Sequence, residues 1–181
     1  MKREPPDKRS PKLVWDEQHR LLGTTSFIWI LKADELLAAF ELIVQKEAES
    51  LLQPPQLSGV AYMLAGFAIE VLIKAVLVQK GGGIDATGRF EHNSHDLTEL
   101  AAQAGLSLSA EENRLLTRLH EYLTWAGRYP IPLTSDPMRP RESPGGGFAP
   151  VTYHRVGEDW LAVRTFVTRL KGLLPKVNHQ P

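Results

Sequence analysis

The stretch Leu57-Ser-Gly-Val-Ala-Tyr-Met-Leu-Ala-Gly-Phe-Ala-Ile-Glu70-Val-Leu-Ile-Lys74-Ala-Val-Leu-Val-Gln-Lys80 runs straight into Gly81-Gly82-Gly83. Nearly every residue from Val60 to Val78 is apolar. A run of this length has two readings, a membrane span or a helix buried on most sides. Glu70 and Lys74 decide between them. Each charge near the middle of a bilayer would cost roughly 2.5–3.5 kcal/mol. Four residues apart on a helix, they pair with one another. The segment therefore reads as the central helix of a soluble bundle, over Leu57 to Lys80, stopped by the three glycines. Gly66 and the alanines at 61, 65, 68 and 75 let a neighbouring helix approach closely.

Working upstream, a first long helix is expected after Thr24, Thr25 or Ser26, all good N-caps. Ile30, Leu37, Phe40, Val44, Ala48 and Leu51 recur at helical spacing, and Pro54-Pro55 ends the run. A shorter helical segment is expected over Val14 to Leu22. Residues 1 to 12 are Pro-rich and basic, which predicts a mobile tail. Working downstream, residues 81 to 93 read as a loop. A short helix follows from His95 to Ala104, capped by Asn93 or Ser94 and closed by Gly105. Ser109 with Glu112 forms a capping box that opens a fourth helix. Its apolar face is Leu115, Leu116, Leu119, Tyr122 and Leu123, and Gly127 and Pro130 end it. Residues 130 to 157 hold six of the thirteen prolines. A loop of that length is functional or disordered. The last helix is expected from Glu158 to Leu174. No alternating strand pattern and no internal repeat is present. The fold class is all-α: an antiparallel helical bundle of about five main helices, forming one domain over residues 13 to 178.

Charge narrows the function. Lys plus Arg and Asp plus Glu both number 21, so the formal charge is zero. Bulk charge does not drive such a chain toward nucleic acid, and any such site must be local. There is no cysteine. That excludes disulfides, thiolate metal sites and cysteine nucleophiles, and it suits a cytoplasmic protein.

Several motifs fail on chemistry. Gly83-Ile-Asp-Ala-Thr-Gly88-Arg89-Phe90 has the glycine spacing of a phosphate-binding loop. Arg89 and Phe90 stand where that loop needs a lysine and a hydroxyl, and the segment follows a helix rather than a strand. His92 and His95 lie near Glu91 and Asp96, but no third metal ligand is evident, so neither a metal nor another cofactor is assigned. Pro137-Met-Arg-Pro140-Arg141 has the form of a polyproline ligand, as a Pro-rich loop easily does. No nucleophile-elbow sequence supports a serine hydrolase.

Three segments remain: Glu70-Val-Leu-Ile-Lys74, His95-Asp96-Leu97, and Arg128-Tyr129-Pro130. Each has an ordinary explanation, respectively a buried ion pair, a helix start and a helix stop. In this order the sequence resembles the HEPN superfamily over roughly residues 26 to 130 plus the final helix. The resemblance implies a small helical domain, often a homodimer. It also implies one of two activities. The first is metal-independent endoribonuclease action in toxin–antitoxin or antiphage defence systems. The second is non-catalytic binding of RNA or of a partner, such as an antitoxin or a nucleotidyltransferase-type protein. The nuclease branch carries an Arg followed four to six residues later by a His. Arginine stabilises charge on a scissile phosphate, and histidine transfers protons near neutral pH.

Arg89 with His95 fits that spacing, and so does Arg114 with His120. Arg89 is followed by Phe90 rather than a small polar residue, and Leu115 likewise follows Arg114. Six positions apart on one helix, Arg114 and His120 point about 120° away from each other. Arg89 and His95 are therefore the candidate catalytic pair. Glu70, Lys74, Asp96, Arg128 and Tyr129 are the candidate binding residues.

Overall fold

The computed structural model describes residues 11–49, 57–142, 146–150, 152 and 156–176. Six α-helices are seen among the described residues: α1 (Pro11–Thr24), α2 (Ser26–Glu49), α3 (Ser58–Gln79), α4 (Leu97–Gln103), α5 (Ala110–Glu121) and α6 (Val156–Gly172). The protein is mainly α-helical, as the spacing of its apolar residues requires. The expected stop at Pro54-Pro55 and residues 1–10 of the expected tail lie outside the described residues. Pro11 and Lys12 belong to α1 rather than to that tail.

α3 is the axis of the bundle. Fifteen of its residues are buried, from Ser58 to Val78. The Ser26 hydroxyl at the start of α2 donates to Gln79 Oε1 at the end of α3, 2.8 Å away, so the two helices run antiparallel. α5 is also antiparallel to α3. A Cβ at Gly66 would lie 3.2 Å from the Leu119 carbonyl and 3.3 Å from Leu123 Cβ. Any side chain there would push α5 away, which is the close approach the small residues allow. α6 closes the bundle. Trp160 meets Phe40 of α2 edge-on at 5.3 Å and Tyr62 of α3 at 4.5 Å. Further along, Arg164 grips Glu41 through two hydrogen bonds of 2.8 and 2.6 Å.

α3 has the length and composition of a membrane span, yet 72% of its most apolar window is buried inside the protein. Other helices cover the face that lipid would otherwise cover. Two buried polar groups stitch the layers together. Tyr62 donates to Asp159 Oδ2 at 2.5 Å, and Arg118 donates to the same oxygen. Burial against this network holds the Tyr122 hydroxyl well above the usual phenol range.

One local expectation is corrected, and two elements carry detail that spacing does not show. The short helix is capped by Asp96, not by Asn93 or Ser94. Asp96 has extended backbone (φ −76°, ψ 110°), and its carboxylate accepts from the Thr98 and Glu99 amides. Ser94 is used differently: its hydroxyl accepts from the Asp96 amide. α5 does not end in regular α-helix. It continues through a π-helical turn, Tyr122–Ala126, in which the Gly127 amide donates to the Tyr122 carbonyl at 3.0 Å. The long Pro-rich loop contains a short antiparallel ladder, with Arg141 opposite Ala149 and Glu142 opposite Phe148. Two-residue strands are too short to show an alternating pattern.

Candidate functional site

The site is built around Glu70. One turn of α3 places the Lys74 ammonium 2.6 Å from Glu70 Oε1, and both side chains are only 7% exposed. A charge so far from water requires a partner. From the other side, His95 Nδ1 lies 3.1 Å from both Glu70 oxygens. A carboxylate only accepts, so Nδ1 carries the proton and donates it to Glu70. The His95 side chain is 62% exposed, which leaves Nε2 as a lone-pair site facing solvent. Lys74, Glu70 and His95 thus form a relay from the core to the surface.

His120 of α5 completes the group. Its Nδ1 lies 3.0 Å from the His95 carbonyl oxygen, so this nitrogen also donates and its Nε2 is left as an acceptor. Asp96 adds charge beside it. Burial pushes the Asp96 carboxyl up, but hydrogen bonds from the Thr98 hydroxyl and the Glu99 and Thr98 amides outweigh it. Together these bonds hold Asp96 below the usual carboxylate range. His120 is thus tied to the backbone of His95, and each ring has its tautomer set by the bond its Nδ1 makes. Behind them, Phe90 stacks on Trp29 at 4.6 Å and meets His92 edge-on at 5.7 Å, with Lys74 Nζ 6.0 Å from its ring centre.

The structure brings Glu70, Lys74, His95 and Asp96 together. It does not join Arg89 to them by any hydrogen bond or ion pair among the described residues. Arg89 closes a tight loop in which its amide and the Thr87 amide and hydroxyl all donate to Asp85 Oδ1, at 2.9, 2.7 and 2.6 Å. The Thr87 hydroxyl bond, the Arg89 amide and the Arg89 charge keep Asp85 below its usual range. The glycine-spaced loop thus cradles its own carboxylate where a phosphate-binding loop would hold a phosphate.

Arg128 and Tyr129 stand elsewhere. Arg128 donates to the Thr124 carbonyl at 2.7 Å and lies 5.4 Å from the Tyr129 ring centre. Gly127 beside them packs on Met63, where an added Cβ would sit 2.5 Å from Met63 Cβ. Met63 precedes Glu70 and Lys74 on α3 by roughly 10 and 16 Å at 1.5 Å per residue. Arg114 and His120 also part company. Arg114 faces Glu158 and Asp159 of α6 across a small cleft, while His120 turns to the start of α4.

The other motif readings find ordinary partners. His92 Nδ1 lies 3.2 Å from Gln103 Oε1, and Glu91 accepts from the Gly83 amide at 3.0 Å. Among the described residues no group of three His, Asp or Glu side chains is placed to hold a metal. Asp136–Met138 form a 3₁₀ turn rather than an extended polyproline segment, and Arg141 is engaged with Glu121 at 3.0 Å.

His120 is the contribution that sequence reasoning missed at this site. Its spacing pairs it only with Arg114, and nothing local signals a contact 25 residues away. No family model, no curated protein and no solved structure matches this chain.

Proposed function

We propose that this chain is a HEPN-like protein that cleaves RNA without a metal, with His95 as its proton-transferring group. One observation carries the reading: a solvent-facing imidazole whose Nδ1–H is held by the buried Glu70–Lys74 pair. A carboxylate behind a histidine orients the ring and stabilises its charged form. In the reaction, one imidazole takes the proton of a ribose 2′-hydroxyl as its oxygen bonds to the adjacent phosphorus. A protonated imidazole gives a proton to the departing 5′-oxygen as the old P–O bond breaks. His120, whose Nδ1 bonds the His95 carbonyl, is the candidate second imidazole. Arg89 supplies positive charge from a second copy of the chain, since among the described residues of one chain only its amide is engaged, at Asp85. The setting we assign is cytoplasmic, in a toxin–antitoxin or antiphage system.

One observation favours a second reading, a non-catalytic module that binds RNA or a protein partner. The cation within the site, Lys74, is engaged by Glu70 rather than free to meet a phosphate. The experiment that separates the two readings incubates the purified chain with a mixed RNA pool in EDTA. His95→Ala and Arg89→Ala serve as controls. Cleavage by the parent, lost in His95→Ala, supports the nuclease. Unchanged cleavage by His95→Ala removes that assignment, and an inert parent leaves the binding module.

A further inference from the structure

Residues 92–96, which carry His95, are neither helix nor strand. Side chains of α4 fix their path instead. The Ser94 hydroxyl accepts from the Asp96 amide at 3.1 Å and donates to Glu99 Oε2 at 2.6 Å. That turn closes around His95 itself. Gln103 lies four residues beyond Glu99, on the same face of α4, and donates to Glu99 Oε1 at 3.1 Å. A carboxylate only accepts, so the Gln103 amide turns its nitrogen to Glu99 and its oxygen to His92. His92 Nδ1 lies 3.2 Å from that oxygen and therefore carries the proton. One hydrogen-bonded chain thus runs from His92 through Gln103 and Glu99 to Ser94, and it brackets His95 from both sides. At its far end, His92 Nε2 is buried with no hydrogen-bond partner among the described residues. A bare buried nitrogen costs stability, so the ring is held there by its fit. It meets Phe90 edge-on at 5.7 Å, and a Cβ at Gly82 would lie 2.3 Å from Nε2 and 3.1 Å from the Leu77 carbonyl. Only glycine at position 82 leaves room for it.

From this geometry we infer that Ser94, Glu99, Gln103 and His92 are positioning residues for His95, with His92, seated on Gly82, as the anchor of the chain. They hold the backbone at 94–96 so that His95 Nδ1–H meets Glu70 while Nε2 stays turned to solvent. Their part in a reaction rests on the proton transfer proposed above; their hold on the ring does not. Glu70 alone fixes one end of the imidazole and leaves the backbone behind it free to shift. The chain removes that freedom from the other side. A proton-transferring group displaced by a fraction of an ångström loses rate rather than substrate binding. Breaking the chain anywhere along its length should therefore have one and the same effect on His95, even from Gly82, which contacts His92 and not His95.

The test compares Ser94→Ala, Glu99→Ala and Gly82→Ala with Ser94→Thr, which keeps the hydroxyl, all in the full chain with helix content checked by circular dichroism. In RNA cleavage the first three should lower kcat about threefold to tenfold with KM within about twofold, and Ser94→Thr should stay close to the parent. Nitrogen NMR of the His95 ring, taken at about pH 8 with neutral imidazoles, reads the positioning without any RNA. The parent should show one Nδ1–H tautomer, and the first three variants a mixture with the Nε2–H form. Two results would each overturn the inference: a His95 tautomer unchanged in both Ser94→Ala and Gly82→Ala, which would make the chain a cap of α4 and nothing more; or a Ser94→Thr variant as impaired as Ser94→Ala. A parent that cleaves no RNA removes the proton-transfer reading, and the tautomer shifts then decide the positioning by themselves.

Discussion

Replacing Lys74 with Met tests the centre of the structure. The substitution keeps most of the side-chain volume and removes the charge. Lys74 Nζ lies 2.6 Å from Glu70 Oε1, and both side chains are 7% exposed. Without the ammonium, a buried carboxylate keeps only the His95 Nδ1–H bond at 3.1 Å. Breaking a buried pair by removing one member costs about 3–5 kcal/mol. The retained His95 bond puts the expected loss toward the lower end of that range. For a domain of this size, 3–5 kcal/mol corresponds to a fall in Tm of about 6–20 °C. Glu70→Gln combined with Lys74→Met replaces the ion pair by a neutral one and should recover most of the loss. Urea melts followed by circular dichroism measure all four members of the cycle, with the m-value confirming that the transition is unchanged. A single-variant loss below about 1 kcal/mol would refute the buried-pair reasoning. So would a double variant that loses as much as the two singles added together.

Two further expectations concern the frame. Asp96→Ala removes the cap of α4 and should cost about 1 kcal/mol. Asp96 titrates lower in the folded chain than in the unfolded one. Its contribution is therefore complete above the unfolded value of about 3.9 and fades as pH falls through the folded value. Asp96→Asn keeps the cap and should flatten that acid loss, as acid titrations of stability will show. Gly127→Ala places a methyl group 2.5 Å from Met63 Cβ and 2.7 Å from the Tyr122 carbonyl. The resulting overpacking should cost about 1–3 kcal/mol, and a melting temperature equal to that of the parent would count against the π-helical turn.

Much of the frame is legible in the sequence because its causes are local. The Glu70–Lys74 pair is one helical turn long, and the Ser109–Glu112 capping box closes within three residues with both expected bonds, 3.1 and 2.8 Å. The cap of α4 is less legible. Asn93, Ser94 and Asp96 are all competent caps, and the backbone path selects the one whose carboxylate meets the Thr98 and Glu99 amides. Arg89 and His95 have the right spacing, but a five-residue gap through a loop does not specify that two side chains face each other. The Asp85 carboxylate organises that loop around itself.

The sequence alone determined that this protein is mainly α-helical, that its most apolar helix carries an internal ion pair, and where most helices start and stop. Those properties depend on neighbours within one turn or on periodic burial. Only the tertiary structure decided that Glu70 holds His95 from 25 residues away and that His120 holds the His95 carbonyl. It also decided that Arg128 and Tyr129 lie apart from the site. Each of these depends on how helices distant along the chain are juxtaposed, and that is set by packing around α3 rather than by local spacing.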